Sequence, residues 1–189
     1  MKGIIFDMDG TLVESAIDFG EMRRAIGVER GDILLTVRGW PEARQAWAFE
    51  QIEEYEARAA ARMSLMPGAL ELMDWTERVG IRRGLVTRNN ARTIDVLSGL
   101  IEHEFWPSLD REFEPCKPDP AALLHIADVW GVSADEVVMV GDSRQDLDAA
   151  RAARMRFCLV TQGYNVEYRS EADWVVRSLD ELIELIEGA

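Results

Sequence analysis

Asp7 and Asp9 stand two residues apart in the string Asp7-Met8-Asp9-Gly10-Thr11. Further along the chain come Thr87-Arg88-Asn89, Cys116-Lys117-Pro118, and Gly141-Asp142-Ser143 with Asp146 four residues after Asp142. Gathered in one place, Asp7, Asp9, Asp142 and Asp146 would put a charge of −4 into a small volume, and like charges a few ångströms apart are strongly unfavourable at reduced dielectric. A cation must therefore sit among them. A divalent, oxygen-coordinated ion together with the Lys117 ammonium supplies +3, and a proton on Asp9 brings the sum to zero; such a cluster can then accept a phosphate dianion. Mg²⁺ suits it, because that ion takes a few carboxylate oxygens and keeps water and substrate oxygens for the rest of its octahedron. His103 and His125 are too few and too far apart for a histidine-based zinc site.

These residues need a scaffold that brings distant segments together. Short apolar runs ending in polar residues alternate with longer segments of helical period, which predicts β-α units around a parallel sheet. Strands are expected over Gly3–Asp7, Arg83–Thr87, Val137–Asp142, Phe157–Thr161 and Asp173–Val176. Helices are expected over Pro67–Val79, Ala91–Leu100, Pro120–Trp130, Arg144–Ala153 and Leu179–Ile186. Asp119 before Pro120 reads as an N-cap with proline at the first helical position, and Ser178 with Glu181 as a capping box. In open parallel sheets ligands sit beyond the carboxyl ends of the strands. The chemical residues fall at those predicted ends.

From Glu14 to Met66 the rhythm breaks. Helical patterns such as Ile17–Ile26 and Pro41–Met63 appear without an alternating strand, so this stretch of about 53 residues reads as a small helical insert. The expected organisation is an α/β core of residues 1–13 and 67–189 with a helical unit over residues 14–66. The insert holds ten acidic residues against seven arginines and is less acidic than the remainder.

The 189 residues carry 21 basic and 35 acidic side chains, a net charge of −14. Such a balance argues against nucleic acid and anionic membranes as partners. Nineteen of the basic residues are arginine; the two lysines are Lys2 and Lys117. Cys116 and Cys158 form no CxxC pair and read as reduced thiols of a cytoplasmic protein. Asp7 and Asp9 interrupt the apolar start before a signal-peptide core forms, and no run approaches a membrane span.

Taken together, the DxDGT string at Asp7–Thr11, Thr87, Lys117-Pro118 and Gly141-Asp142-Ser143 with Asp146 resemble, in order and placement, the motifs of the haloacid dehalogenase (HAD) superfamily. The resemblance covers nearly the whole chain and implies a Rossmann-like three-layer αβα sandwich with a mainly parallel sheet, and a helical cap where the insert lies. It also implies roles: Asp7 as nucleophile forming an aspartyl-phosphate, Asp9 as general acid/base, and Thr87, the Arg88 backbone N–H and Lys117 as phosphoryl ligands. Magnesium would be held by Asp7, Asp142 and the Asp9 carbonyl, with Asp146 in its outer shell or orienting Lys117. The family's dehalogenases lack the second aspartate of DxD, so Asp9 points to a phosphatase or mutase. Met66-Pro67-Gly68 and Gly84-Leu85-Val86-Thr87-Arg88-Asn89 resemble the phosphoglycolate phosphatase and β-phosphoglucomutase branch.

The expectation is a Mg²⁺-dependent phosphatase of a small phosphorylated metabolite, with the oligomeric state open and a monomer preferred. A phosphosugar mutase and a non-catalytic metabolite-binding protein are the rival readings. The short insert departs from the branch's larger cap, so the substrate is not carried over. Cys116, His103 and His125 read as structural. Trp40, Trp47 and Phe49 read as core more readily than as pocket lining, and Arg23, Arg24, Arg38 and Arg44 as surface charges.

Overall fold

Strands buried on both faces of a parallel sheet need near-continuous apolar runs, and the chain supplies them in β1 (Gly3–Phe6) and β4 (Val137–Gly141), every residue of which is buried. The computed structural model, which describes residues 1–14 and 17–188, places these two at the centre of a six-stranded sheet. The others are β2 (Arg82–Val86), β3 (Ser108–Leu109), β5 (Arg156–Val160) and β6 (Trp174–Val176), in the order β3-β2-β1-β4-β5-β6. All neighbours are parallel, with Phe6 level with Leu85 on one side and with Val140 on the other.

Two 3₁₀ turns, Ala134–Glu136 and Val166–Ser170, and eight α-helices complete the elements of the described residues: α1 (Phe19–Ile26), α2 (Ile33–Arg38), α3 (Glu42–Ala60), α4 (Ala69–Val79), α5 (Ala91–Ile101), α6 (Ala121–Trp130), α7 (Arg144–Ala153) and α8 (Glu181–Glu187). Helices α6 and α7 cover the face that carries Ile5, Met139, Phe157 and Leu159. Because side chains alternate along a strand, Ile4 and Phe6 point the other way; on that side α4 lies against β2 and α8, and α8 against β6. The architecture is the expected αβα sandwich of Rossmann type.

The chain divides into two compact units, residues 1–14 with 64–189 and residues 15–63; of the predicted ranges, Ser15, Ala16 and Ala189 lie outside the described residues. The second unit consists of α1, α2 and α3. Their apolar faces meet in a core of Met22, Ile26, Val28, Leu34, Val37, Ala48 and Ile52, flanked by half-buried Trp40, Phe49 and Tyr55. Trp47, by contrast, is exposed, and the Arg44 guanidinium stacks 3.7 Å over the Trp40 ring.

Several local expectations need correction. Strand β3 has only two residues and therefore no alternation to read. Helix α2, also not expected, has six residues and an N-cap at Asp32, whose carboxylate accepts the Leu35 N–H at 2.9 Å. The capping box expected at Ser178 and Glu181 does not form. Asp180 is the N-cap of α8, Ser178 donates its hydroxyl to Asp180, and Glu181 reaches back to the Arg177 N–H at 3.0 Å. At α6 the N-cap is Pro120, one residue later than expected, although Asp119 still accepts the Ala121 N–H at 2.9 Å.

Candidate active site

The ladder of β1 continues one residue past its end, for the Asp7 N–H donates to the Val140 carbonyl at 2.9 Å and so fixes Asp7 beside β4. The chain then folds back sharply. The Met8 carbonyl accepts the N–H groups of Leu12 and Val13 at 2.9 and 3.1 Å, and Gly10 adopts a positive φ of 71°. A Cβ at Gly10 would collide with the Asp142 carboxylate, so glycine is required there for conformation and for space alike.

Asp142 follows the last residue of β4, and α7 begins two residues later. Ser143 is the N-cap of α7, and with Asp146 it forms a reciprocal capping box: the Asp146 N–H donates to Ser143 Oγ, and Ser143 N and Oγ donate to Asp146 Oδ2 at 3.1 and 2.6 Å. This arrangement directs the other Asp146 oxygen into the site. Lys117 comes from the loop before α6, and its Nζ donates to Asp7 Oδ1 at 2.5 Å and to Asp146 Oδ1 at 2.6 Å. Asp146 is fully buried and Lys117 only 3% exposed. Asp7, Asp142 and Asp146 can each offer a carboxylate oxygen within 4.8 Å of the others.

Other neighbours complete the cluster. The Tyr164 hydroxyl donates to Asp142 Oδ2. Asn165 Nδ2 donates to the Asp142 carbonyl at 2.7 Å and to the Val160 carbonyl at 3.0 Å. Gln162 Nε2 donates to the Gly10 carbonyl at 2.7 Å. The loop after β5 therefore braces the loops after both β1 and β4. On the opposite flank Asn89 Nδ2 donates to Asp9 Oδ2. Thr87 is buried at the end of β2, where its Oγ1 accepts the Asn89 N–H at 3.1 Å.

Burial of so many charges sets the electrostatics. It pushes the Asp7 carboxyl well above the usual carboxylate range, aided by Asp146 and Asp142 and opposed by the Lys117 ammonium. Burial, with Asp146 adding, pushes Asp142 up to about 7, and the Tyr164 hydrogen bond works against that rise. Asp9 is raised by burial and partly lowered by Asn89. Burial pulls Lys117 down, but Asp146 and Asp7 outweigh it and hold the ammonium charged. Three carboxylates against one ammonium leave the centre short of positive charge, and an all-oxygen donor set of this kind fits a hard divalent cation.

Asp7, Asp142, Asp146 and Lys117 are thus in mutual reach, with Asp9 and Thr87 at the adjoining strand ends. The Arg88 side chain goes elsewhere: its Nη1 donates to Gln145 on α7 at 2.7 Å. Sequence reasoning missed Tyr164 and Asn165, which become neighbours of Asp142 only because β5 pairs with β4. It also gave Asn89 no part of its own in the chemistry. The helix cap is Asn90, which accepts the Thr93 N–H at 3.0 Å and leaves the Asn89 amide for Asp9. His103 lies between Glu77 and Asp74, and His125 against the Phe113 ring, both away from this cluster.

Comparison with known proteins matches residues 1–154 to the family described as haloacid dehalogenase-like hydrolase. A haloacid dehalogenase-like hydrolase domain-containing protein of Arabidopsis thaliana is 36% identical over 206 residues, covering 99% of this chain and 84% of that protein. A phosphoglycolate phosphatase of Nitrosococcus oceani is 32% identical over 222 residues, covering 98% of this chain and 96% of that protein. The crystal structure of a hydrolase from Pseudomonas syringae superposes with a TM-score of 0.84 over 100% of this chain and 99% of that one; at 19% identity the likeness is one of fold.

Proposed function

The chain belongs to the haloacid dehalogenase-like hydrolases, and from that membership we propose that it is a Mg²⁺-dependent phosphatase that hydrolyses a small phosphomonoester through an aspartyl-phosphate on Asp7. The observation that carries this reading is the Lys117 ammonium bridging Asp7 and Asp146 beside Asp142, with a separate carboxylate, Asp9, held at the edge of the cluster. A relative named phosphoglycolate phosphatase, matched over nearly its full length, supports a small phosphorylated metabolite as the substrate class.

In the first step an Asp7 carboxylate oxygen bonds to phosphorus while the bond from phosphorus to the ester oxygen breaks, and the Asp9 carboxyl gives its proton to the departing alcohol. In the second, the Asp9 carboxylate takes a proton from a water whose oxygen bonds to phosphorus; the bond to Asp7 breaks and inorganic phosphate leaves. Lys117 opposes the upward pull of burial on the Asp7 carboxyl and offsets charge on the phosphoryl oxygens. The Thr87 hydroxyl and the Arg88 backbone N–H hold those oxygens in place. Asp146 has one oxygen on Lys117 and the other on Ser143, so its part is to aim Lys117 and to add negative charge behind the centre. Asp7, Asp142 and the Asp9 carbonyl are the residues that would hold Mg²⁺, which when bound supplies charge neutralisation for nucleophile and phosphoryl oxygens alike.

The test is turnover of a panel of phosphorylated metabolites by the purified protein with Mg²⁺. Asp7→Asn is expected to lower kcat by at least about 10³-fold, since loss of a nucleophile is among the largest single effects on an enzyme. Acid quenching should trap a labelled acyl-phosphate in the wild type and none in Asp7→Asn. Hydrolysis by Asp7→Asn at the wild-type rate would overturn the mechanism.

A further inference from the structure

Asn89 sits just past the end of β2 with its side chain almost fully enclosed, 4% exposed. Its backbone is held independently of that side chain: its N–H donates to Thr87 Oγ1 at 3.1 Å and its carbonyl accepts the Arg111 N–H at 3.0 Å. Capping of α5 falls to Asn90. The Asn89 amide is therefore not needed to shape the turn or to start the helix. Its Nδ2 instead donates to Asp9 Oδ2 and lies 3.6 Å from Met8 Sδ. An amide facing a carboxylate oxygen must present its NH₂, because its carbonyl would be repelled.

We propose that Asn89 is a positioning residue for Asp9: by donating to Oδ2 it fixes the plane of the carboxyl group and leaves Oδ1 as the oxygen that delivers the proton to the leaving alcohol. The inference rests on the reading of Asp9 as general acid/base given above. Asp9 belongs to a tight turn, and a carboxyl group without a hydrogen bond to hold its plane can turn about two side-chain bonds. A pinned Oδ2 removes that freedom before substrate arrives, and misplacement of a catalytic group by about 1 Å can cost about 10²-fold in rate.

This role has a signature that a purely structural one lacks. An alkyl phosphate releases a strongly basic alkoxide and needs the proton from Asp9, whereas dinitrophenyl phosphate releases a stable phenolate and does not. The comparison uses kcat/KM, which reports transfer to Asp7 and is blind to the later hydrolysis. In Asn89→Leu, close to asparagine in size but without the donor, kcat/KM for an alkyl phosphate should fall about 10–100-fold, less than the about 10²–10⁴-fold that general acid catalysis supplies in full, because the acid is misplaced and not removed. For dinitrophenyl phosphate it should stay within about threefold. Asp9→Asn, measured alongside, should show the same selective loss in larger measure.

Equal losses on both substrates, or none on either, in Asn89→Leu while Asp9→Asn is selective would overturn the role of Asn89 and leave Asp9 as the acid. Absence of selectivity in Asp9→Asn would overturn the reading of Asp9 and the inference with it. If Asn89→Leu does not yield folded protein by its thermal melt, Asn89→Ala, which removes the donor without adding volume, is put through the same comparison: a selective loss on the alkyl phosphate supports the role, and an equal loss or none overturns it.

Discussion

Tyr164 illustrates how a single side chain acts through another. It is 60% exposed, yet its hydroxyl reaches inward to Asp142 Oδ2, and that hydrogen bond holds the Asp142 carboxyl lower than burial and Asp146 alone would leave it. The carboxylate must be ionised to hold a divalent cation. Removing the hydroxyl in Tyr164→Phe should raise the proton affinity of Asp142 further, so the pH midpoint for Mg²⁺ or Mn²⁺ binding, followed by calorimetry at a fixed metal concentration, should move upward. A midpoint unchanged or lowered in Tyr164→Phe would show that the hydroxyl does not bear on the ionised form. The same logic explains why Gly10 has no side chain, since the space a Cβ would take is filled by Asp142 and the Tyr164 hydroxyl.

At the scale of elements, helix α7 ties local stability to the geometry of the centre. Its capping box uses Asp146 at the position where glutamate is usual, and the shorter side chain satisfies the cap with Oδ2 while Oδ1 faces Lys117. Ser143→Ala should cost about 1 kcal/mol, the usual value of an N-cap, seen as a fall in Tm of about 2–4 °C for a chain of this size. It should also lower kcat/KM by about tenfold, because Asp146 loses one of the donors that aim it. Ser133 provides the control. It forms a capping box with Glu136 on a short 3₁₀ turn before β4, so Ser133→Ala should lower Tm with kcat/KM unchanged. Equal activity in the two variants would separate the cap from the chemistry.

For the molecule as a whole, the net charge of −14 matters less than the few acids that converge. At physiological ionic strength the screening length is about 8 Å, so distant surface carboxylates act weakly on the centre. The buried ones act strongly and with a definite sign. Asp142 titrates at about 7 when folded, against about 3.9 for an unperturbed aspartate, and Asp7 is raised in the same direction. The folded chain therefore holds protons that the unfolded chain has released. Stability from Asp142 is fully present below about pH 4 and is lost as pH rises through about 7, and Asp7 contributes with the same sign. Without divalent ions, Tm should decline across that window more in the wild type than in Asp142→Asn. Mg²⁺ at about a hundred times its neutral-pH Kd should add about 2.7 kcal/mol there, or about 5–10 °C in Tm, and at that same concentration the gain should shrink as pH falls below about 7. A thermal melt with and without Mg²⁺ at several pH values checks both statements; a gain independent of pH would contradict them.

The sequence by itself determined the class of fold and the residues that end its strands. Short continuous apolar runs alternating with segments of helical period fit strands buried on both faces of a parallel sheet, and Asp7, Thr87 and Asp142 follow such runs directly. Lys117 stood out as one of two lysines in an arginine-rich chain. Elements too short to carry a period, β3 and α2, were beyond its reach, and the capping box expected at Ser178 gave way to a competing cap at Asp180. Only the tertiary structure decided the contacts made across the sheet. The pairing of β4 with β5 brings Tyr164 and Asn165 to Asp142, the pairing of β1 with β2 brings Asn89 to Asp9, and α7 turns Asp146 toward Lys117. Local spacing fixes which residues lie at a strand end, whereas strand order decides which ends are neighbours, and that order follows from the packing of the whole sheet.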